Sequence, residues 1–239
     1  EDASLRAFVA FRLIAARYAK QLAAKDADPA KVQEDWLKEL SEFVRKFPKA
    51  DDAPEAMLQL AVASEFNGKE QEAIEWYERI VSGFAKAPQA AKATGAIRRI
   101  RSVGKRIGLR GRTVDGRSYS LENDRGRVVV LVYWATWCQP CVEELDQLKQ
   151  LYARYGNRGL RVVTVSLDSD ASEVRSFLAK KKYPFPTLFE EGGLESPLAR
   201  EMGILTLPTT LLIDRQGKVV RRNLPASEVA SEVRKLLEK

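Results

Sequence analysis

The run from Val128 to Cys141, Val-Val-Val-Leu-Val-Tyr-Trp-Ala-Thr-Trp-Cys-Gln-Pro-Cys, constrains this chain more than any other stretch. Its apolar, β-branched first half predicts a buried strand, its end carries two cysteines spaced C-x-x-C, and Val142-Glu143-Glu144-Leu145 then has helical character. Two thiols at the start of a helix can close a small disulfide, and the unpaired N–H groups and dipole there stabilise a thiolate on the leading one. This order of elements predicts thiol–disulfide chemistry with Cys138 as the attacking sulfur. Two other readings stay open, a structural disulfide and a pair of free buried thiols. Closing so short a loop gains little from chain entropy, and no further cysteine exists to pair with either one, which favours the redox reading.

Composition removes other chemistries. The 239 residues contain two cysteines and no histidine, so nucleophile systems that need a histidine base have none, and a zinc site would lack its third and fourth ligands. The expectation is no metal and no cofactor beyond a Cys138–Cys141 redox disulfide. The net charge of +7 comes from 40 basic and 33 acidic residues interleaved along the chain, which argues against a nucleic-acid partner. The nearest thing to a cluster is Arg98-Arg99-Ile100-Arg101 with Lys105, Arg106, Arg110 and Arg112; it reads as a solvated linker or helix end, or as a docking patch for an acidic partner. Nothing approaches the roughly 20 apolar residues that span a bilayer, and the chain begins without a signal-peptide pattern.

The length suggests two modest domains. From residue 1 to 103 the pattern is helical. Leu5, Phe8, Val9, Leu13, Ala16 and Ala19 mark a first helix; Asp28-Pro29 opens a second, with Val32, Trp36, Leu40, Phe43 and Phe47; a third starts near Pro54 and breaks at Asn67-Gly68; a fourth carries Ala73, Tyr77, Ile80 and Phe84. Trp36, Leu40, Phe43, Phe47 and Ala50 align with Ala73, Tyr77, Ile80, Phe84 and Ala87 at a constant offset of 37 residues, Trp36 to Ala73. This repeat, continued by a third unit from Pro88, predicts an all-α helical-hairpin domain, and Leu60-Ala61, Gly68, Ala73 and Tyr77 resemble parts of the tetratricopeptide (TPR) signature. Its aromatic stripe reads as core packing; a concave protein-docking face is the functional alternative.

From residue 104 to 239 glycines and short β-prone runs replace the alanine-rich helices. A β-hairpin is expected over 107–114 and 117–121, then the strand to Trp134, a helix to Gly156, a second central strand over 160–167 and a helix over 171–181. An irregular or short extended segment follows at 183–188, then a short helix near 197–202, a hairpin over 209–213 and 218–222, and a closing helix over 226–237. This order gives a mixed sheet with helices on both faces.

W-A-T-W-C-Q-P-C and the segment G-I-L-T-L-P-T-T-L-L-I-D-R-Q-G-K-V at 203–219 closely resemble the two landmarks of the thioredoxin superfamily, specifically its TlpA/ResA-like branch of cell-envelope thiol–disulfide oxidoreductases. The resemblance covers roughly 104–239 and implies an α/β thioredoxin-like fold with an N-terminal β-hairpin and a central insertion, hence an α+β two-domain chain overall. It implies an enzyme that exchanges disulfides with protein substrates, a redox donor or acceptor protein as second partner, and a periplasmic or cell-envelope location for an exported chain. It also implies that Cys138 attacks and Cys141 resolves. By itself Pro208 reads as a strand-start proline; the resemblance implies a cis peptide facing the cysteines, with Thr206 and Leu207 beside it as substrate contacts and Trp137, Gln139 and Pro140 on the other side of the cleft. Glu144, one turn after Cys141, is explained by the helix dipole alone, or, as in ResA-like proteins, by a role in cysteine acidity and proton transfer. One departure bears on this: thioredoxin has a buried aspartate six residues before its first cysteine, where this chain has Val132. Two alternatives to the reductase remain: a peroxiredoxin-type peroxidase, whose P-x-x-x-T-x-x-C motif is absent, and a scaffold that works through the helical domain.

Overall fold

The computed structural model describes residues 2–238, so residues 1 and 239, the outer ends of the two expected domains, lie outside the described residues. The chain divides into two compact units after Ile97, ahead of the expected boundary at 103/104.

The first unit holds α1 (Asp2–Leu22), α2 (Pro29–Lys46), α3 (Ala53–Phe66), α4 (Glu70–Gly83) and most of α5 (Pro88–Ile100). Asp28 starts α2 by accepting hydrogen bonds from the N–H groups of Ala30 (3.1 Å) and Lys31 (3.3 Å), and Pro29 sits where a helix has an N–H to spare. The repeat extends from side chains to backbone. Phe47 and Phe84, equivalent in the 37-residue alignment, end α2 and α4 with nearly the same angles (φ −128, ψ 58 and φ −136, ψ 45), each donating its N–H back four residues, to Phe43 and Ile80. The turns that follow repeat as well: Ala50 N–H donates to Phe47 O and Ala53 N–H to Ala50 O, as Ala87 donates to Phe84 and Ala90 to Ala87. Leu40, Phe43, Tyr77 and Ile80 are all buried, each worth about 1.5–3 kcal/mol relative to exposure.

The second unit begins inside the last turn of α5. Arg98 and Arg99 lie in that last turn, the helix end that was one of the expected settings, but Arg99 is buried rather than solvated, donating from Nε to Met202 O (3.1 Å) and from its guanidinium to Gly203 O (3.2 Å). These carbonyls lie just past the short helix Pro197–Glu201, and the guanidinium's planar fork reaches both. Exposed Arg98 does the same for Glu201 O at 3.2 Å.

Strands β1 (Arg110–Arg112) and β2 (Ser118–Ser120) form the expected hairpin with shorter arms. The main sheet consists of β3 (Val128–Trp134), β4 (Leu160–Ser166), β5 (Thr187–Phe189), β6 (Thr209–Ile213) and β7 (Val219–Arg222), in the order β5-β4-β3-β6-β7. β3 pairs in parallel with β4, β4 in parallel with β5, and β6 antiparallel with both β3 and β7. The segment read as irregular or short extended thus supplies an edge strand, with Thr164 opposite Thr187.

β3 is buried on both faces, which is why it reads as an unbroken apolar run rather than an alternating one. Val128, Val130, Val132 and Trp134 meet Leu145 and Leu148 of α6 (Gln139–Tyr155), Val174 of α7 (Ala171–Lys181), and Val229 and Val233 of α9 (Ala226–Leu237). Val129, Leu131 and Tyr133 meet the other layer, with Leu198 and Ala199 of α8 (Pro197–Glu201), Met202 and Ile204. The C-terminal layout is a thioredoxin-like α/β fold, and α7, β5 and α8 lie in the stretch between β4 and the β6–β7 hairpin.

Candidate active site

β3 delivers the chain to one end of the sheet, where Ala135 O accepts from Cys138 N–H (3.1 Å) across a tight turn and α6 starts at once. Cys138 is the N-cap of α6, its sulfur accepting from the N–H of Cys141 at 3.3 Å. Pro140 occupies the first turn, which an N–H-less residue does not weaken. The two cysteines form a disulfide with Cα atoms 5.2 Å apart. Their exposure differs: Cys138 is 7% exposed and Cys141 0%.

Around the pair, Trp137 is 63% exposed whereas Trp134 is fully buried against Phe177. Gln139 and Pro140 are exposed, and Gln139 donates to Glu143 Oε1 at 3.0 Å, leaving Glu143 on the solvent side of α6. The Leu207–Pro208 peptide is cis. Thr206 is exposed, Leu207 and Pro208 are half-buried, and Thr209 Oγ1 donates to Thr206 O at 2.8 Å, bracing the loop ahead of β6. Leu207 packs against the core that holds both cysteines.

Glu144, three residues after Cys141 on α6, is 5% exposed. It accepts a hydrogen bond from Thr210 Oγ1 at 2.7 Å, and Thr210 stands directly opposite Val132 in the β3–β6 register. Val132 shares the core face that holds Cys138 and Cys141. Burial pushes the Glu144 carboxyl above its usual range, and the Thr210 hydroxyl opposes that shift in part.

Two residues of this neighbourhood escaped the sequence. One is Thr210, whose partner lies 66 positions away. The other is Asp168, fully buried just past β4, which accepts from both the N–H and the hydroxyl of Thr136. The signal for Asp168 was the parallel pairing of the two strands, which a single strand's pattern does not carry. Among the described residues, no group of three or more His, Cys, Asp or Glu side chains is placed to hold a metal ion, and no helix is long and apolar enough to cross a membrane.

Residues 86–237 match the family model described as Redoxin. Thiol-disulfide oxidoreductase ResA of Bacillus thuringiensis subsp. konkukian is 29% identical over 108 residues, covering 45% of this chain and 61% of that protein. Thioredoxin-like protein YneN of Bacillus subtilis is 31% identical over 111 residues, covering 45% of this chain and 62% of that protein. The chain thus spans less than two thirds of the length of these curated relatives. A solved thiol-disulfide oxidoreductase from Bacteroides fragilis superposes with a TM-score of 0.50 at 28% identity, covering 54% of this chain and 97% of that one. With the family model matching well over half of its residues, the chain belongs to the Redoxin family, in the TlpA/ResA-like branch of the thioredoxin superfamily.

Proposed function

We propose that this chain is a thiol–disulfide oxidoreductase that reduces disulfides in protein substrates outside the cytoplasm. The carrying observation is a pair of bonded cysteines at a helix start, of which Cys138 keeps a little exposure and Cys141 keeps none. In the reduced enzyme the Cys138 thiolate, favoured by the N-terminus of α6, attacks one sulfur of a substrate disulfide; a mixed disulfide forms and the other substrate sulfur leaves as a thiolate. Cys141 gives up its proton and attacks the Cys138 sulfur, releasing the second substrate thiol and closing the Cys138–Cys141 disulfide. A donor protein dithiol returns two electrons and two protons.

Glu144 is the group proposed to take and return the Cys141 proton, since its raised affinity for a proton brings it nearer the working pH. Trp137, Gln139, Pro140, Thr206, Leu207 and Pro208 form the proposed substrate contacts, with Trp137 offering an apolar platform. The names of the ResA relatives support the activity, and the resemblance of the 134–141 and 203–219 segments to the TlpA/ResA-like branch of cell-envelope oxidoreductases supports the location. The repeated Phe47 and Phe84 turns support a TPR-like domain over 1–103, with 104–239 as the redox domain; the helical domain is proposed to dock a protein partner. Insulin reduction driven by dithiothreitol tests the assignment: Cys138→Ser brings the rate down to the uncatalysed one, and equal turnover in that variant sinks it.

A further inference from the structure

Asp168 carries a carboxyl group that is 0% exposed and that the exchange steps above do not use. A buried acid is costly unless its oxygens are hydrogen-bonded, so its partners show what it is kept for. It caps no helix, since α7 takes Asp170 as its N-cap. Its Oδ1 accepts from Thr136 N–H (3.0 Å) and Thr136 Oγ1 (2.6 Å), and its Oδ2 from Thr136 N–H (3.1 Å) and Ser166 Oγ (2.7 Å). The pairing of β3 with β4 explains the meeting: Trp134 stands opposite Ser166, and the same register carried two residues further brings Thr136 to Asp168. Leu167 N–H, donating to Trp134 O at 2.7 Å, locks the strand ends between these two points.

Thr136 is the second residue of the turn that Ala135 O closes onto Cys138 N–H. Holding both of its polar groups leaves that turn little freedom, and the turn decides where the Cys138 sulfur points relative to the N–H groups of α6. We infer that Asp168 is a positioning residue for Cys138, acting through Thr136 to fix the turn that aims the reactive sulfur at the start of α6. The titratable side chains on the elements that meet at this turn are Cys141, Glu143 and Glu144 in the first turns of α6 and Asp168 just past β4; β3 ends in Trp134 and β6 begins at Thr209, neither of which titrates.

The inference rests on the proposed exchange role of Cys138, but its test needs no substrate. In the full chain carrying Cys141→Ser, the rate of Cys138 alkylation by iodoacetamide is followed against pH alongside thermal unfolding. Thr136→Val, close in shape and lacking the hydroxyl, raises the alkylation midpoint by about half a pH unit, roughly threefold in rate at neutral pH, because the thiolate loses its aim at the helix N–H groups; the variant is less stable by the lost hydrogen bond but still unfolds in one cooperative transition above the assay temperature. Asp168→Asn keeps an acceptor oxygen for Thr136 and does not raise the midpoint, the lost negative charge acting only to lower it, whereas Asp168→Ala raises it as Thr136→Val does, and the double variant adds nothing further. Should Asp168→Ala fail to fold, Thr136→Val and Asp168→Asn still decide. A parent profile in Thr136→Val, an upward shift in Asp168→Asn as large as in Thr136→Val, or independent effects in the double variant overturn the inference. A parent chain inert toward insulin would sink the exchange activity and leave this result standing.

Discussion

Replacing Thr210 with valine keeps the volume of a buried side chain and deletes one hydroxyl. That hydroxyl donates to Glu144 Oε1 at 2.7 Å, so the variant strips a buried carboxyl of this donor. A hydrogen bond to a charged acceptor is worth about 1.5–3 kcal/mol net and one between neutral groups about 0.5–1.5 kcal/mol. The difference, about 1–1.5 kcal/mol, is the preference Thr210 exerts for the ionised form, and about 1.4 kcal/mol corresponds to one pKa unit. Burial already holds Glu144 above the usual carboxylate range, and Thr210 counters it. Thr210→Val therefore raises the Glu144 pKa further. A 13C NMR titration of glutamate side-chain carboxyls measures this, the Glu144 signal being assigned by its loss in Glu144→Gln. The sign for stability follows from linkage. A carboxyl whose folded pKa is raised binds more protons folded than unfolded, so its contribution is full below the unfolded value and is lost as pH rises through the folded one. The cost of Thr210→Val, read from denaturant unfolding of the second unit, thus grows from acid to neutral pH. An unmoved or lowered Glu144 midpoint, or the same cost at both ends of that range, refutes the reasoning.

Cys141→Ser removes the resolving sulfur and accumulates a Cys138 mixed disulfide with substrate, visible on a non-reducing gel; absence of the adduct while Cys138 remains reactive contradicts the assigned order of attack. Leu145→Ala opens a cavity in the core between β3 and α6, where Leu145 is fully buried, and costs about 2–5 kcal/mol by denaturant titration; a loss below about 1 kcal/mol would mean that α6 is not packed as described. Trp137→Ala changes stability by no more than about 0.5 kcal/mol, because the ring is largely in solvent, yet raises the KM for insulin; an unchanged KM removes Trp137 from the substrate surface.

How far the chain was legible varied with how local each determinant is. Asp28-Pro29 and its consequence occupy adjacent residues, so α2 was readable to its first turn. The unbroken apolar texture of 128–134 announced burial on both faces, and the repeat of Phe47 in Phe84 announced two turns that the backbone then duplicates. β5 was harder, since Pro184 and Pro186 sit beside it and its pairing with β4 leaves only three residues of pattern. Arg99 looked like solvated charge because the carbonyls it satisfies lie over a hundred positions away. At the site, the cysteines and Glu144 could be located by spacing along one helix. The Thr210 hydroxyl and the Asp168 carboxyl could not, because one lies on β6 and the other just past β4, and each reaches its partner only once the sheet register is fixed.

In the proposed exchange, the difference in cover between the two cysteines sets an order of events as well as a division of labour. A sulfur with no surface of its own can be visited only by its neighbour, so traffic enters and leaves through Cys138. The closing step is then unimolecular, set by a partner tethered three residues away, and its rate does not follow the surrounding thiol concentration. The same cover keeps Cys141 from dissolved oxidants while a substrate is engaged, so the sulfur that must remain a thiol until the last moment is also the one least exposed to the irreversible rungs of cysteine oxidation.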